Sequence, residues 1–367
     1  MRINELKIEK TTNKYLKTKN YICRKRKEKR MKIKDLKFDC RHFEGHIPCK
    51  PNKLHDVQCD DCSHYDKNTS SIIVLDDKES LLQEIFKICN FTKQELVEEI
   101  PKIQTEVTRI LFIKLGAIGD VIRTTPLLTK YKKEYGDCHF SWITHSPQVV
   151  PKDEVDVIYK WDASSVSVLA NQEFDIAVNL DKDKEACMLL SLINAREKFG
   201  FLWKDGHVNT ATDKAEHKLI TGLFDHISKK NTLNYLEEIF EICHFEFNKE
   251  EYMINLNEEL SNQWKEKFKT LANSKTIIGL NTGCGLRWKT RLWPKEYWVK
   301  LIKDLEKQGY FCLLMGGSDE DEMNRYYQSE TGATYLGTFS LEEFIAITNN
   351  TEIIVTPVSM MMHIALA

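Results

Sequence analysis

Ile110-Leu-Phe-Ile-Lys-Leu-Gly-Ala-Ile-Gly-Asp-Val-Ile-Arg-Thr-Thr-Pro126 decides how the rest of the chain is read. Residues 110–115 form an apolar run of strand length, the loop after it carries Gly116 and Gly119, and a helix follows. That order puts the carboxylate of Asp120 at the carboxyl end of a strand, where open α/β sheets bind their ligands. The glycine spacing departs from G-x-G-x-x-G, so this is not a dinucleotide fingerprint. Two local roles stand open for Asp120. It is either an acid favoured by the positive end of a helix or a general base within reach of a hydroxyl.

A second segment repeats the arrangement. In Ile277-Ile-Gly-Leu-Asn-Thr-Gly-Cys-Gly-Leu-Arg-Trp-Lys-Thr-Arg-Leu-Trp-Pro294 an apolar strand again runs into a glycine loop, here loaded with cations. Thr282, Gly283 and Gly285 offer hydroxyl and amide donors. Arg287, Lys289 and Arg291 offer charge suited to a diphosphate, and a helix opening near Pro294 adds a positive dipole end. The bland alternative is a solvated basic loop. The Walker lysine pattern is missing, which excludes a P-loop. A base on one loop and a phosphate seat on the other imply group transfer from a nucleotide-activated donor.

Outward from these loops the chain alternates. Strands are expected at 110–115, 139–144, 155–159 and 174–180, with helices after the first and last, then a mainly helical stretch at 230–270. In that stretch Glu237, Glu238 and Glu241 are expected outside, and Leu236, Ile239, Phe240 and Cys243 inside. A second run has strands at 276–281, 310–315, 333–336 and 352–356 and helices at 294–307, 319–330 and 340–348. Pro294 suits a first helical position, and Ser340-Leu-Glu-Glu343 a capping box. An amphipathic helix is expected at 80–100. Such alternation favours parallel sheets with right-handed crossovers, hence an α/β fold of two Rossmann-like halves facing a cleft.

The chain has 367 residues and a net charge of -2, enough length for about two domains and no global pull toward nucleic acid. Residues 1–30 are basic and poor in large apolar side chains, the composition of a disordered tail. A solvated tail, a contact with anionic lipid and a nucleic-acid arm, in descending order, are the roles open to it. No apolar run reaches the roughly 18 residues of a membrane span, and no secretory signal is visible. The eleven cysteines then suit a reducing cytoplasm. Cys89, Cys138, Cys187, Cys243 and Cys312 sit singly in apolar patterns as small core residues. Cys40, Cys49, Cys59 and Cys62 differ: four soft ligands end in a C-x-x-C knuckle. A closed structural zinc site, a metal-free thiol cluster and an iron–sulfur cluster all remain open. His42, His46, His55 and His64 are further ligand candidates.

Taken together, Lys114–Pro126, Asn179-Leu-Asp-Lys-Asp183 and Asn281–Pro294 resemble glycosyltransferase family 9, the ADP-heptose:lipopolysaccharide heptosyltransferases of the GT-B fold. The resemblance extends from about Met31 to the last residue, and one bacterial subgroup of the family opens with a similar cysteine cluster. It implies that Asp120 is the catalytic base of an inverting transfer needing no cofactor for catalysis. It further implies that Thr282, Gly283, Gly285, Arg287, Lys289, Arg291, Ser359 and His363 bind the donor. Gly116, Gly119, Asn179, Asp181 and Lys182 would stand toward the acceptor. The implied partners are a nucleotide-sugar donor and a lipid-linked saccharide acceptor, met in the cytoplasm at the inner-membrane face, with no nucleic acid.

Two departures accompany the resemblance. Arg291 stands where the family has a phosphate-binding Lys, which keeps the charge, while Leu292 replaces the basic residue after it. In the family's D-[ST]-x-x-x-H signature, Ser359 and His363 align but Val358 stands in place of the Asp. The family also continues through a further strand and closing helices, so a truncated donor domain is expected. The expected organisation is a tail (1–30), a Cys-rich segment (31–70), an acceptor domain (71–273) and a donor domain (274–367). A catalytically degenerate GT-B protein that binds a saccharide or a partner is the alternative.

Overall fold

The computed structural model describes residues 33–38, 40, 42, 48–55, 59, 62–66, 78–88, 107–285 and 290–367. The basic tail, the second half of the helix expected at 80–100, and His46, Cys89, Arg287 and Lys289 lie outside the described residues.

Helices α1 (Lys50–His55) and α2 (Lys78–Ile88) precede the first lobe. That lobe runs β1 (Thr108–Ile113), α3 (Ile118–Ile122), α4 (Pro126–Tyr135), β2 (Cys138–Thr144), β3 (Val157–Lys160), α5 (Ala163–Ala170), β4 (Glu173–Asn179), α6 (Lys184–Leu192), β5 (Asn194–Lys204) and β6 (His207–Thr210). Helices α7 (Glu216–Leu223), α8 (Asp225–Ser228), α9 (Tyr235–Ile242) and α10 (Glu258–Ala272) complete it. The second lobe runs β7 (Ile277–Asn281), α11 (Lys295–Lys307), β8 (Phe311–Met315), α12 (Asp321–Thr331), β9 (Thr334–Tyr335), α13 (Leu341–Asn349), β10 (Ile353–Val355) and α14 (Met360–Ala365). Among the described residues no helix is long and apolar enough to cross a membrane.

The two sheets share one strand order. The first is β3-β2-β1-β4-β5-β6, parallel except for β6; the second is β10-β7-β8-β9, all parallel. In each, the first strand lies between the second and the fourth, so the connections leave it in opposite directions. A crevice opens there at the carboxyl ends of the strands. In the first lobe it lies between the loops after β1 and β4, in the second between the loops after β7 and β10.

Local chemistry explains the element ends. Pro126 occupies the first turn of α4, and Gly136, at φ 76°, ends it. Asn234 and Glu237 form a complete capping box at α9. At α13 only the Ser340 half of the expected box forms, its side chain accepting from Glu343 N. Pro294 stands one position earlier than expected, as the cap of α11, because its ψ of 143° is extended. The stretch 230–270 is two helices joined by an extended connector rather than one helical block.

Glu238 corrects another expectation. It is buried, where it pairs with Lys218 and accepts from Asn231 Nδ2 at 2.9 Å. Among the cysteines expected in the core, Cys187, Cys243 and Cys312 are buried and Cys138 is half-buried.

One apolar cluster joins the lobes. It runs from Phe112 and Trp142 under the first sheet through Trp264 and Phe268 of α10 to Phe344, Ile345 and Met361 of the second lobe. Separate clusters cover the far faces, around Leu111, Ile113 and Leu189 in one lobe and Leu280, Trp298 and Leu314 in the other.

β5 serves two pairings. Residues up to Gly200 pair in parallel with β4, and from Phe201 the strand pairs antiparallel with β6. Gly200 makes the change of direction at φ 94°, and a Cβ there would run into the carbonyl of Asn179. Gly200→Ala is therefore expected to lose stability by about 1–3 kcal/mol from backbone strain alone, more with the clash. Urea denaturation reads this as a lower midpoint; an unchanged midpoint would show that the strand turns without needing glycine.

Candidate active site

Buried charge organises the loop after β1. Lys114 and Asp181 form an ion pair deep at the first switch point, both nearly inaccessible to solvent. Asp181 also accepts from the backbone of Leu115 at 2.5 Å and of Gly116 at 3.0 Å. One carboxylate from the β4 loop thus fixes three successive residues of the β1 loop. Burial pulls the Lys114 ammonium down, but Asp181 beside it wins and leaves it raised. A Cβ at Gly116 would crowd both charged ends, at 3.2 Å from Asp181 Oδ1 and 3.3 Å from Lys114 Nζ.

Asn179 braces the other side. Its Nδ2 donates to the carbonyls of Asp181 (2.9 Å) and Phe201 (2.7 Å), and its Oδ1 accepts from Asp181 N (3.0 Å). Asn179 and Asp181 are accordingly buried supports of the loop. Asp120 stands on α3 with its side chain 40% exposed and Arg123 Nη1 3.5 Å away. Arg123 in turn lies 3.3 Å above the ring of Tyr235.

Lys182 is half-buried, and its ammonium fills the space over Gly222 that a Cβ would occupy. Burial, with the nearby Lys218 charge, pushes its pKa down to about 8.

The second switch point is held by neutral groups. Asn281 Nδ2 donates to Gly283 O at 2.9 Å, Thr356 Oγ1 at 3.0 Å and Ser359 Oγ at 3.3 Å, joining the loops after β7 and β10. The hydroxyl of Thr282 donates to Asn324 Oδ1 at 2.7 Å, and Asn324 Nδ2 to Met315 O at 3.2 Å. Gly285 turns the loop at φ 70°. Gly283 lies so close to Glu320 that no side chain would fit. Arg291 is exposed and its Nη1 donates to Val358 O at 3.2 Å.

The second crevice is closed on one side by the first lobe's α3. A cavity of about 400 Å³ has Asn281, Gly283, Gly285, Glu320 and Ser359 on one side and Ile118, two residues before Asp120, on the other. That volume suits a small-molecule ligand. Above it α14 packs on α3, and the ring of His363 presses on Gly119, whose missing Cβ makes the approach possible. Burial, then the Arg123 charge, lowers the His363 pKa, and its Nδ1 has no hydrogen-bond partner. Glu320 and Asn324 escaped sequence reasoning. The signal was the run Ser318-Asp-Glu320 following Gly316-Gly317 at the end of a strand.

Cys40, Cys49, Cys59 and Cys62 come together around one small cavity against Leu223 and Phe224. Burial pushes the Cys59 thiol up, while a hydrogen bond from the Lys37 backbone opposes the shift. Among the described residues no three His, Cys, Asp or Glu side chains form a finished metal site.

Two outcomes follow from the charges of the first lobe's loops. Asp181→Ala strands a buried ammonium and should cost about 3–5 kcal/mol of stability. Adding Lys114→Met should recover much of that loss in chemical denaturation, and no recovery would refute the pairing. Lys182 works in the opposite sense. Below pH 8 it is protonated folded and unfolded, and its full burial cost stands. Between about 8 and its ordinary 10.5 the unfolded chain holds more protons, so stability rises with pH. Lys182→Met should therefore melt above the wild type at pH 7, with the gap closing toward pH 10. A gap independent of pH would contradict the lowered pKa.

Comparison with known proteins follows the same lines. The sequence model of glycosyltransferase family 9 (heptosyltransferase) matches residues 164–367. No curated protein matches the chain. Among solved structures it is similar to the glycosyl transferase family 9 protein of Veillonella parvula DSM 2008, with 20% identity, 72% of this chain and 80% of that one covered, and a TM-score of 0.52. It is also similar to E. coli ADP-heptose LPS heptosyltransferase II, with 15% identity, 70% and 81% covered, and a TM-score of 0.53. E. coli heptosyltransferase WaaC with ADP-2-deoxy-2-fluoro heptose gives 15% identity, 70% and 85% covered, and a TM-score of 0.51. At such identities the structures speak for a shared fold, and the match over more than half the sequence speaks for descent: the chain belongs to glycosyltransferase family 9, and is a glycosyltransferase.

Proposed function

We propose that the protein transfers a heptose-like sugar, with inversion, from a nucleoside diphosphate donor such as ADP-heptose to a lipid-linked saccharide such as lipopolysaccharide core. The observation that carries this is the shared gap: the helix bearing Asp120 and the glycine loop of the second lobe border one cavity. Asp120, exposed at its edge, takes the proton of the acceptor hydroxyl as that oxygen attacks the anomeric carbon. The bond from that carbon to the diphosphate oxygen breaks, and the electron pair leaves with the diphosphate. Amides of the Gly283–Gly285 turn and the Arg291 guanidinium stabilise the departing charge. Arg287 and Lys289, outside the described residues, add to it by sequence. Glu320 has the chemistry to accept from ribose hydroxyls, and Ser359 and His363 close the donor side. The acceptor's lipid places the work at the cytoplasmic face of the inner membrane.

The test is release of ADP from ADP-heptose in the presence of core acceptor. Asp120→Asn should fall about 10²–10⁴-fold, the usual worth of a general base. Turnover equal to the wild type would remove Asp120 from that role.

One observation favours a second reading, a saccharide-binding protein with lost activity. Val358 is 55% exposed where the family signature has an acid, and Arg291 reaches only its carbonyl. Acceptor binding without turnover, together with activity gained in Val358→Asp, would select that reading.

A further inference from the structure

We propose that Cys40, Cys49, Cys59 and Cys62 bind a single tetrahedral zinc ion that cross-links the chain between residues 40 and 62 where it rests on the corner between α7 and α8. The four sulfurs come from three separate stretches of chain yet border one cavity of about 20 Å³. A void of that size holds roughly one water-sized body. It therefore has room for one ion. Four thiolates in tetrahedral array select zinc among single divalent ions.

The surroundings fit a closed structural site. Leu223 and Phe224 wall the cavity from the protein side, which keeps it dry. Cys59 accepts a hydrogen bond from the Lys37 backbone and Cys49 one from the Asn52 backbone, the outer contacts that orient thiolate ligands. Lys37 also borders the cavity, with its ammonium 4.7 Å from the ring of Tyr65. It supplies a positive charge beside a site that would carry two negative ones.

The segment needs such a staple. Leu36 is its sole buried large apolar side chain among the described residues. Ile33, Phe38, Cys49 and Cys59 only partly bury against the main core, and polar or stacked contacts add to them. Cys49 N donates to Leu223 O at 3.1 Å, and Asp225 N to Asn52 Oδ1 at 2.9 Å. Phe38 stacks on His207 at 3.7 Å. So small a core seldom holds a segment of this length unaided. The thiols do not stand at finished coordination distances. Metal binding then includes side-chain rotation toward a common centre and release of the thiol protons.

The experiment uses the full chain, purified without added metal or chelator. Elemental analysis should find one zinc per chain. That zinc should be released to a chromogenic chelator as the thiols are blocked with a mercurial. Cys59→Ser with Cys62→Ser should abolish the zinc and lower the melting temperature, while His42→Ala should keep it. If the double variant fails to fold, cobalt added to the apo wild type decides: the visible bands of tetrahedral cobalt thiolate are expected. Absence of both zinc and those bands overturns the proposal. So does equal zinc in the double variant, and so does iron accompanied by acid-labile sulfide.

Discussion

The pairing of Lys114 with Asp181 is the constraint on which the first lobe's chemistry depends. A strand end alone leaves a loop free to choose among conformations. A carboxylate that must satisfy a buried ammonium and two amides removes that choice, because leaving any of them unmet is expensive away from water. The loop then enters α3 in one orientation, and Asp120 stands on that helix from a fixed base. Gly116 and Gly119 serve the same end by omission, since each lets a charged or aromatic group approach the backbone closely.

The second lobe solves the same problem with neutral groups. Asn281 draws the loops after β7 and β10 together, and Thr282 and Asn324 tie the first of these loops to β8 and α12. The proposed diphosphate binding would gain from this economy, because every fixed negative charge near it would oppose binding. Glu320 is the exception. It follows the glycine pair after β8, and its carboxylate accepts from Gly317 N at 2.9 Å.

Much of this was legible in the sequence because apolar strands followed by glycine loops carry a strong local signal. Both switch-point loops, β1 to β4 of the first half and all four strands of the second appear where hydrophobic runs placed them. The β5–β6 hairpin did not, since Arg196-Glu-Lys198 hides a strand whose side chains are largely exposed. α5 was hidden by its small residues, although Asp162, accepting from Ser165 N, was a cap in plain view. Glu238 looked like a surface acid because its partner Lys218 lies on another helix. Asn179 and Asp181 were located correctly as a motif, but their inward hydrogen bonds are tertiary facts that no spacing reveals.

The repeated strand order has a consequence for how such a protein can change. Each wall of the gap is rooted in its own sheet and backed by its own outer apolar cluster. The walls of the gap therefore have separate roots but share the apolar cluster that runs between the lobes. A substitution on the outer face of one lobe can be absorbed within that lobe, whereas one in the shared cluster shifts both walls together.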